Sequence, residues 1–261
     1  MTMQKANPVF HSVIVTASER VTPNMQRIRF QGSDLSHITA ADAGNYIKVL
    51  FNKEGGTDLS ELSQDERPVM RTYTIRSVDE STQSIEVDFV VHQSDDHDEG
   101  FAAPWAIKAV PGDTLKIRGP AKLQEMYTDA DWYFMVADMT ALPACSAKVR
   151  QLPVDAKGYM LVQVQTEQDI QPIEAPEGMR LIWLTEPDSL IAAAKALPWL
   201  AGDVSVWSAC EFESMKALRN YFRQERSVPK EHSYISSYWK RGVNEEKHKL
   251  IKRAEAEKDA A

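Results

Sequence analysis

The stretch Arg71-Thr72-Tyr73-Thr74-Ile75-Arg76 combines a guanidinium suited to a phosphate with a phenol ring suited to an aromatic ligand plane. Its β-branched and aromatic residues follow Pro68 and predict a strand entered from a turn. Alternation along that strand puts Arg71 and Tyr73 on one side. An ordinary strand with solvent-reaching arginines would read the same way, and a motif this short does not separate the two. A second cluster, Gln93-Ser94-Asp95-Asp96-His97-Asp98-Glu99-Gly100, crowds carboxylates and a histidine into one loop without helical or finger spacing. It reads as acidic, solvated surface rather than a metal site. Thr140 precedes Ala141, Leu142 and Pro143, which marks it as a helix N-cap whose neighbouring N–H groups could receive a phosphate or a nicotinamide edge. A helix that is merely well capped fits equally. Ser208-Ala209-Cys210-Glu211 reads as another strand-to-helix turn, and Cys210 has no adjacent base to make it a nucleophile.

The elements that must position these groups fall into two patterns. Residues 10–30 alternate apolar and polar around Thr22-Pro23-Asn24, as two antiparallel strands would. Residues 45–51 form a further strand with Ile47, Val49 and Phe51 on one fully apolar face, leaving Lys48 on the other with Tyr46 and Leu50. After the Tyr73 strand come a strand over 84–92, a short helix over 101–110, a turn at Pro111-Gly112-Asp113 and a closing strand over 114–118 ended by Gly119-Pro120. Short strands with turn signals and one helix predict a small antiparallel barrel. From Asp129 the pattern changes to strands (132–137, 159–164, 181–184, 204–207) alternating with helices (141–152, 189–196, 211–225), the signal of a parallel sheet. The expected architecture is an N-terminal antiparallel β-barrel over 1–122, an α/β domain over 123–242 and a helical extension over 243–261. Asn244 is that extension's N-cap, and Leu250, Ile251 and Ala254 are its few apolar anchors.

The chain of 261 residues carries 30 Lys and Arg against 38 Asp and Glu, a net charge of −8 that opposes broad binding to nucleic acid. An anionic ligand therefore requires a local concentration of cations. Two cysteines far apart in sequence suggest neither a disulfide framework nor a zinc ribbon, and a reducing compartment follows. No apolar run reaches the roughly 18 residues of a spanning helix, and no leader pattern is read at the N-terminus, so the expected location is the cytoplasm and the expected state a monomer. The α/β half has no GxGxxG fingerprint.

Arg71-x-Tyr73-Thr74, Asp88-Phe89-Val90-Val91-His92, Trp105-Ala106, Pro111-Gly112-Asp113, Asp138-Met139-Thr140-Ala141-Leu142-Pro143-Ala144 and Tyr238-Trp239-Lys240-Arg241-Gly242 occur in this order. The series resembles the siderophore-interacting protein family of flavin-containing ferric-siderophore reductases, over roughly residues 10–245. The resemblance implies a ferredoxin-reductase-like fold in which FAD meets Arg71 at its pyrophosphate, Tyr73 at the flavin or ribityl chain and Thr74 near N5. Asp88, Val90, His92 and Trp105 belong to the same implied cofactor site. The 93–100 loop departs from the family, and its charge should point away from a pyrophosphate. Thr140 and Ala141 are implied for the nicotinamide donor, NADH or NADPH, although Met139 stands where the family has an acidic residue. Lys48, Trp239, Lys240 and Arg241 are implied for the ferric siderophore, which would require the C-terminal block to converge with Lys48.

The activity so implied is reduction of siderophore-bound Fe(III) to Fe(II). Fe(II) holds hard oxygen ligands more weakly, so reduction releases the metal. No acid, base or nucleophile is required, which agrees with the lack of a triad or carboxylate pair. Two alternatives remain at this point: a general or ferredoxin-fed flavoreductase, and a siderophore carrier without turnover.

Overall fold

The computed structural model describes residues 9–63, 66–91, 100–187 and 189–258. Among them, one compact unit takes 9–21, 25–91 and 100–123, and a second takes 22–24 and everything from Gln124 on.

Period-two alternation builds the first unit. Strands β1 (His11–Thr22), β2 (Met25–Gln31), β3 (Tyr46–Phe51), β4 (Val69–Asp79), β5 (Ser84–Val90) and β6 (Thr114–Ala121) close into an antiparallel barrel in the order β1-β2-β5-β4-β3-β6. β6 closes the ring by pairing back on β1, with His11 opposite Ile117. Inner positions are apolar on every strand: Val13 and Val15, Ile28 and Phe30, Ile47 and Val49, Ile75, Val87 and Phe89, Leu115 and Ile117. Each such side chain contributes about 1.5–3 kcal/mol by leaving water. The helix α1 (Ala102–Lys108) adds Trp105, whose ring lies 6.1 Å from those of Phe30, Phe51 and Phe89. The closing strand runs three residues beyond its expected end, through a cis Gly119–Pro120 bond.

The second unit is a five-stranded parallel sheet, β11-β10-β7-β8-β9. Its members are β7 (Trp132–Asp138), β8 (Lys157–Gln163), β9 (Gly178–Leu184), β10 (Val204–Glu211) and β11 (Ser233–Trp239), packed with α2 (Leu142–Arg150), α3 (Leu190–Ala196) and α4 (Phe212–Asn220). The strand β11 has no counterpart in the sequence reading, because Ser233, Ser236 and Ser237 hide its apolar pattern, although all three are buried. The helix expected over 211–225 is shorter. It gives way at Tyr221 to a π-helical turn, Tyr221–Glu225, where the adjacent rings of Tyr221 and Phe222 are both buried. Ser208 and Cys210 lie within β10 rather than in a capping turn, and Glu211 is the cap, its carboxylate accepting from the amides of Glu213 and Ser214.

The chain's last helix, α5 (Glu245–Lys258), is docked by polar contacts more than by apolar ones. Asn244 Oδ1 accepts from the Lys247 amide as a cap should. The buried His248 imidazole shares a 2.8 Å hydrogen bond with Ser237 Oγ, and Lys252 Nζ donates to Ser236 Oγ and the Ser237 carbonyl. Ile251 packs on the core of the second unit, whereas Leu250, expected as an anchor, is 64% exposed.

One carboxylate organises the sheet's carboxyl ends. Numbered within the unit, the strand order is 5-4-1-2-3, so connections leave β7 and β10 in opposite directions and open a crevice between their ends. Asp138, the last residue of β7, is buried there. Its Oδ1 accepts from Thr140 Oγ1 (2.6 Å) and the Thr140 amide (2.9 Å), and its Oδ2 from Trp239 Nε1 at the end of β11 (2.7 Å). Desolvation raises the carboxyl above its ordinary range, and these hydrogen bonds oppose the rise. Truncation would leave the Trp239 and Thr140 donors without their acceptor. Asp138→Ala is therefore expected to lower the unfolding free energy by about 2–3 kcal/mol in urea titrations. A loss under about 0.5 kcal/mol, the scale of an ordinary surface substitution, would show that the cluster does not hold the sheet end.

Candidate functional site

Register decides what the Tyr73 strand presents. Across β3 and β4, Val49 faces Arg71, Ile47 faces Tyr73, Lys48 faces Thr72 and Tyr46 faces Thr74. Directly opposed residues share a face. Arg71 and Tyr73 are together, as alternation predicts, but on the inner side with Ile47 and Val49. Tyr73 packs on the Phe89 ring with centroids 4.2 Å apart. Arg71 lies 5.8 Å from the Phe101 ring and donates from Nη1 to the Met70 carbonyl. Gly100 borders it, and a Cβ there would stand 3.5 Å from Nε. Thr74, buried, belongs to the outer wall with Tyr46 and Lys48.

The outer wall carries a cleft of about 480 Å³, lined by Tyr46, Lys48, Met70, Arg118, Pro120 and His11 among others. That is the size of a small-molecule site, with apolar and aromatic walls and a few polar groups. Its charges are arranged unlike those elsewhere on the barrel. Arg27 stands directly opposite Asp88 and Arg29 opposite Glu86, each pair bridged at 2.7 Å. In the cleft Lys48 stands directly opposite Arg118. Like charges in register destabilise a sheet, so this pair is a local concentration of positive charge on an acidic chain. Lys48 lies 5.6 Å from the Tyr46 ring and is hydrogen-bonded to Thr72 Oγ1. Sequence reading missed Arg118. It alternates outward from Leu115 and Ile117 just as Lys116 does, and only the β3–β6 register distinguishes the two.

Three residues expected at the cofactor are engaged within the barrel. Asp88 takes Arg27 in a bidentate pair (2.7 and 3.0 Å) with Arg76 at 3.6 Å, so its carboxylate belongs to the wall. Val90 is buried opposite Met25, and Trp105 is part of the aromatic packing above. In these cases a side chain that reads as a ligand contact has a structural partner. His92 and the acidic loop that follows it lie outside the described residues.

The second unit also corrects an expectation. Thr140 is not the N-cap of α2; that position is Ala141, and the Thr140 hydroxyl turns back to Asp138. The amides of Thr140 and Ala141, expected to be free for a ligand, donate to Asp138. The Ala141 side chain is fully buried. What remains at the crevice is the Thr140 side chain and the half-buried Trp239 indole, both held by one carboxylate. Lys240 pairs with Glu213 at 2.6 Å and lies 4.4 Å from the Phe212 ring, while Arg241 is exposed and its amide donates to Glu211. Burial pushes the thiols of Cys145 and Cys210 well up, so neither is a nucleophile. Among the described residues no group of three or more His, Cys, Asp or Glu could hold a metal ion.

Residues 14–124 match the model of the siderophore-interacting FAD-binding domain, and residues 130–242 that of the siderophore-interacting protein. The ferric vibriobactin reductase ViuB of Vibrio cholerae is 33% identical over 87% of this chain and 88% of its own. The NADPH-dependent ferric-chelate reductase of Escherichia coli is 25% identical over 88% and 92%. The siderophore-interacting protein SipS of Aeromonas hydrophila superimposes with a TM-score of 0.83 at 28% identity, covering 96% of this chain and 99% of that one. Two units built as barrel and parallel sheet, each matched by its own family model, make this chain a member of the siderophore-interacting protein family.

Proposed function

We propose that the protein is an FAD-dependent ferric-siderophore reductase that draws electrons from NADH or NADPH and releases iron as Fe(II). The observation that carries this reading is the like-charged pair Lys48–Arg118 facing each other across a cleft on the barrel wall. Such a pair is tolerated where an anion spends time, and a catecholate-type ferric chelate is a bulky anion with flat rings.

The residues present fit FAD. Arg71, bordered by Gly100, suits a pyrophosphate, and the buried Thr74 hydroxyl offers a polar group on the outer side of the same strand. FAD, when bound, accepts a hydride from a nicotinamide and passes single electrons to Fe(III). The chain itself holds, orients and screens. Lys48 and Arg118 neutralise the chelate, and Tyr46 and Met70 give its rings an apolar wall. In the second unit, Asp138 fixes Thr140 and Trp239 at the crevice where open parallel sheets bind ligands, and these receive the donor. Lys240 and Arg241 serve the chelate through charge, Lys240 weakly because Glu213 already neutralises it. His92 is retained as a cofactor contact on the resemblance alone. Two free, buried cysteines support a reducing, cytoplasmic setting; among the described residues no helix is long and apolar enough to cross a membrane.

Arg71→Ala is expected to purify with less FAD, whereas Tyr73→Phe, which keeps the ring on Phe89, retains it. Full flavin content in Arg71→Ala, read from the visible spectrum, would remove Arg71 from the cofactor site. For the substrate, an exposed charge contact is worth at most about 1 kcal/mol, or roughly fivefold. Lys48→Ala and Arg118→Ala are each expected to raise KM for anionic ferric catecholates by about that factor, and to leave neutral ferric hydroxamates and flavin content unchanged. Equal effects on both chelate classes would move the substrate elsewhere. For the donor, Trp239→Phe removes the indole N–H bonded to Asp138. It is expected to slow flavin reduction by nicotinamide about tenfold, with iron reduction by photoreduced enzyme intact. Unchanged reduction would favour a ferredoxin as the donor.

A further inference from the structure

The cleft has a wall that the functional reading leaves unused. His11, the first residue of β1, lines it beside Tyr46, Lys48 and Arg118. Its imidazole lies against that of His37, with ring centroids 4.5 Å apart and planes inclined by 33°. His37 comes from the connection between β2 and β3, and its Nε2 is 3.4 Å from the Gly119 carbonyl on the closing strand. A carbonyl only accepts, so that nitrogen carries the proton and the ring is oriented by the strand that supplies Arg118. The His11 ring thus extends the positive side of the cleft with a group whose charge is adjustable, and the His37 ring lies against it.

The surroundings set the direction of that adjustment. β3 contributes Lys48 and Tyr46, β6 contributes Arg118, and the turn Ser33–Leu35 contributes Asp34. Lys116, outward like Arg118 but two residues earlier on β6, does not line the cleft. Burial and the neighbouring His37 hold His11 below the ordinary imidazole value, and Asp34 only partly offsets them. With the cleft empty, His11 is therefore mostly neutral at pH 7. A polyanion in the cleft reverses the balance, because its negative charge beside His11 favours the imidazolium that burial and His37 disfavour. Two imidazoles in contact repel when both are charged, which limits the gain to about one proton for the pair.

We propose that the His11–His37 pair is a specificity element of the cleft: it takes up a proton as an anionic ferric chelate binds and leaves neutral chelates undistinguished. The inference rests on the substrate reading above and adds a second source of charge discrimination to Lys48 and Arg118. Linkage fixes its sign. A pair that binds protons more tightly in the complex makes affinity rise as pH falls toward the free-state value and level off below it.

The test is calorimetric titration of the FAD-loaded full chain with the gallium(III) complex of a hexadentate tris-catecholate, a trianion that cannot be reduced under these conditions. Measurements at pH 7 in buffers of different ionisation enthalpy give the protons exchanged. The expected result is an uptake of about half to one proton, with affinity for the trianion increasing about threefold to tenfold from pH 8 to pH 6. The His11→Gln/His37→Gln variant keeps an amide donor for the Gly119 carbonyl, and in it both effects should vanish while FAD content and far-ultraviolet dichroism stay unchanged. A neutral gallium trihydroxamate should show neither effect with either protein. The same uptake in the double variant, or with the neutral chelate, would overturn the role of the pair and leave the substrate reading intact. Absence of binding by every chelate would overturn both.

Discussion

A closed barrel of six strands has one inside, and that inside must be apolar. Most inward-facing residues of β1 to β6 are committed to it, from Val13 to Ile117, and α1 adds Trp105 to the same aromatic packing. A polar group placed there without partners would cost several kcal/mol. Chemistry is thereby confined to the outer wall and the mouth. Arg71 and Tyr73 follow this constraint from the inner side, Tyr73 as packing against Phe89 and Arg71 beside Phe101 and Gly100, while Thr74, Lys48 and Arg118 follow it from the outer side. The barrel also shows what its wall does with charge when only stability is at stake: Arg27 meets Asp88 and Arg29 meets Glu86 in register. Lys48 opposite Arg118 departs from that pattern on a chain with a net charge of −8, and the departure coincides with the cleft.

In the parallel unit the corresponding constraint is the sheet's switch point. The connections after β7 and β10 leave in opposite directions there, and the first amides of the helix that follows β7 need an acceptor. Asp138 supplies it, gathering Thr140, the Ala141 amide and the Trp239 indole around one buried carboxylate. The glycine-rich turn of a dinucleotide-binding sheet is absent, and its ordering role at the switch point falls to a side chain. The consequence is that the first amides of α2 are satisfied internally, so recognition at this crevice falls to side chains rather than to a helix N-terminus.

The two histidines add a different property to the barrel wall. Beside Lys48 and Arg118, burial and the neighbouring His37 hold the His11 imidazole below its ordinary value. Fixed and adjustable cations on one wall separate attraction of an anion from the degree to which it is neutralised once bound.

Much of this was legible in the residues alone. Alternation over 10–30, 45–51 and 84–90 is a local property, set by which side chains can face a core, and it determined the barrel. The change to apolar runs after Asp129 determined the parallel sheet in the same way. The order of short motifs determined the family, and the apolar face of Ile47, Val49 and Phe51 determined that Lys48 lies outside. Register was decided only in the tertiary structure, because which residue stands opposite which depends on turns and closure far away in sequence. Register paired Arg118 with Lys48 and Asp88 with Arg27, and it turned Tyr73 inward. Long-range polar partners were decided there too. Asp138 reached Trp239, 101 residues on, and took the amides that the sequence offers to a ligand; Ser237 and His248 docked a helix with few apolar anchors. A periodic pattern reports on the face a residue turns to the core, and it carries no information on what that residue meets there.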